Sequence, residues 1–237
     1  MQQFFEFPVT PVCTLDSFVV CDGNVAAYTF ARRICDPNDS DKLLYLYGPS
    51  GSGKTHLLKA IVHELAADSP VSPFICCRDI RSSDQLLLTA QDAPMLVLDD
   101  LHLIPDGTDI QRTLWQLFND FYSSGRVIAM AGQHPPRELS QLDDHLISRL
   151  LWGLVARVDV TDDASRRMII RKVAEDRQVL VSDDLVDYVL ATTGREAGQL
   201  IAAFEQVYRC SMSMKRKMSL ALARQGLTVD GTHEPLP

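Results

Sequence analysis

The strongest indication of the fold in this sequence is a glycine-rich loop between a short apolar run and a stretch with helical periodicity. The apolar run is Leu43–Tyr47, and apolar residues recur at helical spacing over residues 54–67. The loop consists of Gly48, Pro49, Ser50, Gly51, Ser52, Gly53, Lys54 and Thr55. This arrangement predicts a strand-loop-helix unit whose loop holds the phosphates of a Mg²⁺-nucleotide.

Each residue type in the loop has a chemical property that suits phosphate binding. Gly51 and Gly53 let the backbone approach phosphate oxygens because they carry no Cβ atom. The backbone N–H groups and the N-terminus of the following helix supply positive potential. Lys54 is predicted to reach the β- and γ-phosphates, and Thr55 to ligate Mg²⁺. The alternative is an ordinary glycine turn, which the flanking strand and helix disfavour.

Apolar runs alternate with polar or helical stretches as far as residue 160. Further strands are predicted at residues 71–77, 95–99, 127–131 and 154–160. Five short apolar runs with helices between them indicate an α/β fold with buried parallel strands.

Beyond residue 160 only helical patterns occur. Candidate caps are Thr161, Asp162 or Asp163 for a first helix and Ser182 for a second, and Gly194 precedes a third. The chain is therefore predicted to contain an N-terminal peptide (residues 1–12), an α/β nucleotide-binding domain (13–159) and a small helical lid domain (160–237).

Two carboxylates end the predicted strand at residues 95–99. Asp99 is predicted to hold Mg²⁺ through water, and Asp100 to orient the attacking water. An acidic pair alone often closes a strand at the surface. Its position after the phosphate loop favours the catalytic interpretation.

A polar segment follows the predicted strand at residues 127–131. Gln133 is the candidate sensor of the γ-phosphate, since it lies where a strand meets a proline-stiffened loop. His134 is interpreted as an ordinary loop histidine. The preceding helical stretch, residues 110–122, carries apolar residues at core spacing, with Trp115 predicted at its rim.

Two arginines each allow three interpretations. Arg149 lies at the end of a predicted helix that starts at Asp144, and Arg195 follows Gly194. Each can bind this chain's nucleotide, bind a neighbour's nucleotide, or pair with surface carboxylates, which for Arg149 are Asp143 and Asp144.

The charge and the apolar pattern exclude several classes of protein. The formal net charge of −8 disfavours direct DNA binding, because phosphate contacts require clustered Lys and Arg. The six cysteines form no C-x-x-C pair and no metal-ligand spacing, which is typical of free thiols. No apolar stretch approaches the ~18 residues of a membrane span. We expect a soluble, cytoplasmic protein that does not bind membranes.

In these motifs the chain resembles the nucleotide-binding part of the bacterial DnaA initiators, which are AAA+ P-loop NTPases, from about residue 14 to residue 227. The matching segments are residues 14–24, 44–58, 98–101, 133–139, 148–154 and 195–196. The resemblance implies a five-stranded parallel sheet with flanking helices, a helical lid, and ATP or ADP with Mg²⁺ as cofactors. It also implies that the nucleotide is bordered by Phe18, Val19, Val20, Asn24 and His56.

The same resemblance assigns roles to three polar residues. Arg149 matches the family's arginine finger, which acts on a neighbouring subunit's nucleotide, and Arg195 matches the sensor-2 position in the lid. Gln133 falls in the sensor-1 region, where the family usually has Asp. From this departure we expect the chain's own ATP hydrolysis to be weak or to depend on a partner.

The resemblance is stronger to the shortened, Hda-like members of the family. The chain stops at Pro237, so no DNA-binding domain is expected after the lid, and residues 78–94 look too short for the additional helix of full initiators. In Hda-like proteins an N-terminal peptide docks on the sliding clamp, and Gln2 to Phe7 is similar in type. A simple strand or tail is the alternative for that peptide.

These expectations lead to one main functional hypothesis. The chain regulates replication initiation by docking on DnaA and presenting Arg149 to its bound ATP, which promotes hydrolysis. One alternative is a static nucleotide-binding adaptor that bridges the initiator or the clamp to another partner. Another is a helicase loader of the DnaC type. The chain is also a candidate to form a homodimer.

Overall fold

A computed structural model describes residues 13–66 and 74–228. It contains a five-stranded parallel sheet with the strand order β2-β3-β4-β1-β5. The strands are β1 (Leu43–Tyr47), β2 (Phe74–Cys76), β3 (Leu96–Asp99), β4 (Ile128–Gly132) and β5 (Leu154–Arg157). The predicted α/β class with five parallel strands is confirmed.

Helices cover both faces of the sheet because its strands are buried on both sides. Leu43 and Tyr45 of β1 belong to one apolar cluster, and Leu44 and Leu46 belong to another, as the period of two requires. The first cluster includes residues of α3 (Ser83–Ala90), α4 (Thr108–Ser123) and α5 (Asp144–Leu150), and the second includes residues of α1 (Val25–Cys35) and α2 (Lys54–Ala66).

A third apolar cluster lies among the helices after the sheet, which are α6 (Asp163–Asp176), α7 (Asp183–Thr192), α8 (Ala197–Ser213) and α9 (Leu220–Thr228). Of the three candidate caps for α6, it is Asp162 that accepts the backbone N–H of Ser165, at 2.8 Å. Ser182 caps α7 through the N–H of Leu185, as predicted. We call α6 to α9 the lid helices; the domain boundary near residue 159 stays a prediction.

Several predicted elements differ from the observed ones at their ends. The strand predicted over residues 154–160 ends at Arg157, although the N–H of Val158 still bonds to the carbonyl of Tyr47 at 2.7 Å. Residues 71–73 and Ala67 lie outside the described residues, and the strand predicted to reach residue 77 ends at Cys76. Helices α1, α3 and α9 are not among the predicted elements. Among the helices described, none is long and apolar enough to cross a membrane.

The strand order brings the polar segments together. Strands β3, β4 and β1 are neighbours, and their carboxyl ends therefore meet at one edge of the sheet. The phosphate loop follows β1, Asp99 ends β3, and Gln133 follows β4.

Candidate functional site: a nucleotide-binding site

The phosphate loop has a backbone that only glycine adopts readily at three positions, the first of which is Gly48 with φ 150°. Gly51 has φ 68° and Gly53 has φ 105°, both in the left-handed region. A Cβ atom on Gly53 would lie 3.1 Å from the ring of Phe18, and one on Gly51 would lie 2.6 Å from Cβ of Glu196. The loop is thus closely packed between the segment at residues 14–24 and the lid.

Lys54 is buried at the start of α2, with 6% of its surface exposed. Its Nζ donates hydrogen bonds to the carbonyl oxygens of Gly48 at 2.8 Å and Pro49 at 2.7 Å, and it lies 3.4 Å from the Ser52 hydroxyl. Burial lowers the pKa of Lys54, while the nearby carboxylates, Asp99 first, oppose that shift. The ammonium group is therefore held inside the curve of the loop.

Thr55 and Asp99 are in direct contact. The Thr55 hydroxyl donates a 2.6 Å hydrogen bond to Oδ2 of Asp99, which is 3% exposed. Oδ1 of Asp99 accepts the backbone N–H of Asp100 at 2.9 Å. A hydroxyl and a carboxylate are the hard oxygen ligands that Mg²⁺ prefers, so these residues fit the predicted cation.

Asp100 has an unusual backbone and a partner that the sequence analysis does not predict. Its φ of 53° and ψ of 44° place it in the left-handed region, where non-glycine residues are uncommon. Its Oδ2 forms an ion pair with Arg78, which follows β2, and lies 3.8 Å from the thiol of Cys76. The carboxylate assigned to orient water is therefore held by an arginine that follows the neighbouring strand β2.

Gln133 lies in the loop that follows β4, and its side chain is exposed. The loop is held by Tyr45, whose buried hydroxyl donates a 2.7 Å hydrogen bond to the carbonyl of His134. A Cβ atom on Gly132 would lie 2.4 Å from that hydroxyl, so glycine is required there. The sensor role of Gln133 stays a prediction. His134 is exposed and lies 3.9 Å from Glu138, as expected of a loop histidine.

A cavity of about 220 Å³ opens between residues 14–24, the phosphate loop and the lid helices α6 and α8. The predicted residues Phe18, Val19, Asn24 and His56 line it, together with Ser52 and Gly53 of the loop. Val20 does not line this cavity; it packs against the second apolar cluster.

Side chains around the cavity are fixed by local contacts. The ring of Phe18 stacks on Tyr28 at a centroid distance of 6.0 Å and meets His56 edge to face at 5.4 Å. Asn24 donates to the carbonyl of Val19 and accepts the N–H of Cys21, both at 2.9 Å. Asn24 therefore shapes the segment that borders the cavity.

His56 lies in the first turn of α2. Its Nε2 is 3.2 Å from the carbonyl oxygen of Thr14 and 3.1 Å from the Ser17 hydroxyl. Burial is the main cause of its lowered pKa, which favours the neutral ring.

The lid contributes charged residues to the cavity that the sequence analysis does not single out. Lys172 and Asp176 of α6 pair at 2.8 Å, and Arg177 pairs with Glu205 of α8 at 2.7 Å. These four side chains lie at helical positions that look like an ordinary solvated face in sequence. Only the packing of α6 and α8 places them around the cavity.

Arg195 does not line the cavity. Its guanidinium donates to the carbonyl of Thr161 at 2.8 Å and pairs with Asp163 at 3.4 Å. The next residue, Glu196, contacts the phosphate loop at Gly51 instead. Of the three interpretations of Arg195, the described contacts match the surface pair, and its sensor-2 role stays a prediction.

Arg149 lies in the last turn of α5 and is half-buried. Among the described residues no carboxylate forms an ion pair with it, and its three interpretations stay predictions. Its Cζ atom lies 4.3 Å from the ring centroid of Trp152 and 5.3 Å from that of Trp115. Two indole rings hold the guanidinium, and its N–H donors have no described acceptor.

The parallel sheet, the phosphate loop with its buried lysine, and the acidic residue at the end of β3 define a P-loop nucleotide-binding protein of the AAA+ type. The model of the bacterial DnaA ATPase domain matches residues 9–76 and 76–157. The chain belongs to this family.

Curated relatives agree with this assignment. The chromosomal replication initiator protein DnaA of Enterococcus faecalis is 26% identical over 232 residues, which is 92% of this chain and 52% of the relative. The DnaA of Lactobacillus helveticus is 27% identical over 90% of this chain and 50% of its own length. The chain thus spans about half the length of the curated relatives it matches.

Solved structures show the same fold. Domain III of the Thermotoga maritima replication initiation protein DnaA superposes with a TM-score of 0.76 at 25% identity, and covers 96% of this chain and 100% of that domain. A replication initiator DnaA bound to AMPPCP and single-stranded DNA gives 0.74 at 23% identity, with 92% and 69% of the chains covered. The Thermotoga maritima RuvB branch migration motor gives 0.70 at 16% identity over 91% and 71%.

Proposed function

We propose that this chain is an Hda-like regulator of replication initiation that binds ADP or ATP and supplies Arg149 in trans to ATP held by a DnaA initiator. The observation that carries the proposal is the environment of Arg149. Its guanidinium is fixed by two aromatic rings and pairs with no described carboxylate. A planar group with free N–H donors suits the charged oxygens of a phosphate.

The chain's own site supports nucleotide binding. Lys54 donates to two loop carbonyls from a buried position, and a phosphate that accepts from it would replace these neutral acceptors with charged ones. Thr55 and Asp99 would hold Mg²⁺, which neutralises phosphate charge when it is bound. Two similar DnaA structures hold AMPPCP, which supports an adenine nucleotide here.

The contact between the lid and the phosphate loop supports the proposal that nucleotide binding changes the conformation of the chain. The N–H of Ala197 donates to the carbonyl of Gly51, so the lid reaches the loop directly. We propose that bound nucleotide sets the position of the lid and, with it, the surface offered to the initiator. An initiator related to this chain would use its own loop to hold the ATP.

The test is hydrolysis of ATP by the cognate initiator with and without this chain. We expect stimulation by the wild type and loss of about 100-fold or more of the stimulated rate with Arg149→Ala, since a finger in trans contributes about 10³ to 10⁵ in rate. Arg112→Ala is the matched control, because Arg112 is an exposed arginine paired with Asp109. Unchanged hydrolysis with the wild type, or equal stimulation by Arg149→Ala, would disprove the proposal.

A second candidate function is a nucleotide-binding adaptor without turnover. The ion pair of Asp100 with Arg78 favours it, because a carboxylate engaged by an arginine is a poorer partner for water. Turnover separates the two candidates. Tight ATP binding with no hydrolysis, alone or with the initiator, would favour the adaptor.

The sliding clamp is the second proposed partner, through the peptide from Gln2 to Phe7. These residues lie outside the described part of the chain, so the proposal comes from their sequence alone. A clamp pull-down with the full chain and with a chain lacking residues 1–7 tests it. Retention of the clamp by the shortened chain would remove the peptide from consideration.

A further inference from the structure

The Arg149 guanidinium lies over the rings of both tryptophans of the chain, although the tryptophans come from different elements. Trp115 belongs to α4, and Trp152 lies in the turn after α5. No motif in the sequence links position 115 to position 149. The packing of α4 against the end of α5 creates the arrangement, which we call the tryptophan clamp (Trp115 and Trp152).

The clamp is braced by other rings. Trp152 meets Tyr122 edge to face at a centroid distance of 6.0 Å, and Tyr122 stacks on the buried Phe118 at 6.0 Å. On the other side, Trp115 contacts the ring of His145 at 6.2 Å. The rings are therefore anchored to the core by α4, while Trp152 itself is 58% exposed.

The contact geometry leaves Arg149 able to bind an anion. A cation–π interaction uses the flat face of the guanidinium, and the five N–H donors of arginine lie in the plane of the group. Contact with the rings thus holds the side chain while its donors remain available to an anion. A carboxylate partner would fix it equally well but would use two donors and neutralise the charge.

We propose that Trp115 and Trp152 are positioning residues for Arg149: they hold the guanidinium at the surface, oriented to meet a phosphate on a docked partner. The exposed face of Trp152 is then part of the surface that the partner covers. This inference rests on the proposed function, and it adds the residues that make the arginine competent before docking. An unbraced arginine would have to lose its rotamer freedom on every encounter.

The first test needs no partner. Trp115→Phe and Trp152→Phe each leave one tryptophan, whose emission reports its neighbours. In both backgrounds we expect Arg149→Met to change the emission intensity or wavelength, because a cation next to the indole is removed. Arg171→Met, which alters an exposed arginine of α6 paired with Asp183, is the control. Emission that is insensitive to Arg149→Met in both backgrounds would overturn the clamp.

The second test is stimulation of the initiator's ATP hydrolysis by ring and non-ring variants at position 152. Trp152→Leu keeps an apolar side chain but has no aromatic face, whereas Trp152→Tyr and Trp152→Phe retain one. We expect the maximal stimulated rate to fall about threefold to tenfold with Leu and to be largely rescued by Tyr or Phe. The concentration of this chain that gives half-maximal stimulation should change less than the maximal rate.

The outcomes separate the two proposals. Loss of stimulation with Arg149→Ala but wild-type maximal rates with Trp152→Leu would overturn the clamp and leave the proposed function standing. A change confined to the half-maximal concentration, or no rescue by Tyr or Phe, would also overturn the clamp. Full stimulation by Arg149→Ala would overturn both. Circular dichroism melting of each variant confirms that it is folded.

Discussion

The backbone N–H of Ala197, the first residue of α8, donates a 3.0 Å hydrogen bond to the carbonyl oxygen of Gly51 in the phosphate loop. The side chain of Glu196 packs over the same glycine. A shift of the loop must therefore move α8 or break this bond. The contact joins the part of the chain that binds phosphates to the helices that follow the sheet.

The turn before α8 is held by a buried arginine, which gives the first prediction. Arg166 is 3% exposed, pairs with Asp163 at 3.1 Å, and donates to the carbonyls of Leu190 at 3.1 Å and Gly194 at 2.9 Å. We expect Arg166→Met to lower the free energy of unfolding by about 2–4 kcal/mol, because it leaves buried acceptors without donors. Denaturant titration measures this change.

The neighbouring Arg167 offers the control, since its ion pair with Asp187 is partly exposed, unlike the buried Arg166. Arg167→Met should change the free energy of unfolding by less than about 1 kcal/mol. Equal destabilisation by both variants would contradict the proposed role of the buried position.

Lys54 gives the second prediction. Lys54→Ala removes the charged donor from the loop, and we expect nucleotide affinity to fall about 10- to 100-fold, as loss of a charge-assisted hydrogen bond implies. Isothermal titration with ADP and ATP measures the change. Lys59→Ala is the matched control, because Lys59 lies on the same helix but contacts the ring of Phe74 at 5.5 Å. Similar affinity of the two variants would argue against this loop as the phosphate site.

The ion pair between Arg78 and Asp100 gives the third prediction. Arg78→Ala releases the carboxylate, and we expect intrinsic ATP hydrolysis to rise about twofold to tenfold, a modest effect because Arg78 is exposed to solvent. Asp100→Asn in the Arg78→Ala background should abolish the increase. Steady-state phosphate release measures both rates, and an unchanged rate in Arg78→Ala would indicate that the pair does not restrain hydrolysis.

The cap of α6 gives the fourth prediction. The side-chain hydrogen bond with Ser165 is the first cause that lowers the pKa of Asp162. A carboxyl whose pKa is lower in the folded state stabilises the fold above its unfolded pKa of about 3.9, and this contribution is lost as pH falls through the folded pKa. We expect Asp162→Ala to cost about 1 kcal/mol at pH 7.

The measurement that tests this prediction is the thermal stability of the wild type and of Asp162→Ala from about pH 7 to pH 3. The stability difference should narrow below about pH 4, where the wild-type carboxyl becomes protonated. Asp162→Asn keeps a capping oxygen without titrating, so its difference from Asp162→Ala should stay constant with pH. A stability difference that does not narrow at all between pH 7 and pH 3 would contradict the assigned cap.

Local patterns in the sequence were sufficient for most of the fold. Strand β1 was predicted at its observed bounds, because five consecutive apolar residues before a glycine loop leave few alternatives. The caps at Asp162 and Ser182 were recognisable because a cap and its N–H partner are three residues apart. Helix α3 was not predicted, since residues 83–90 place exposed leucines on a short helix with a weak apolar stripe.

Some residues of the candidate site were also recognised from sequence, and others only from the structure. Lys54, Thr55 and Asp99 were identified from sequence, because a phosphate loop and an acidic strand end are local patterns. Arg78 was not identified as the partner of Asp100, because the contact depends on β2 lying beside β3. Val20 was also expected at the nucleotide; it is partly buried against the second apolar cluster and does not line the cavity, and its role stays a prediction.

By itself, the sequence determined the parallel sheet, the phosphate loop and the identity of the residues that can meet phosphate and Mg²⁺. These features depend on residues within a few positions of each other. Only the tertiary structure decided which carboxylate is held by an arginine, which lid residue contacts the loop, and that the Arg149 guanidinium lies over both tryptophan rings. The contacts of Asp100 with Arg78, Gly51 with Ala197 and Arg149 with Trp115 join residues far apart in the chain. They depend on strand order and helix packing, which no local pattern encodes.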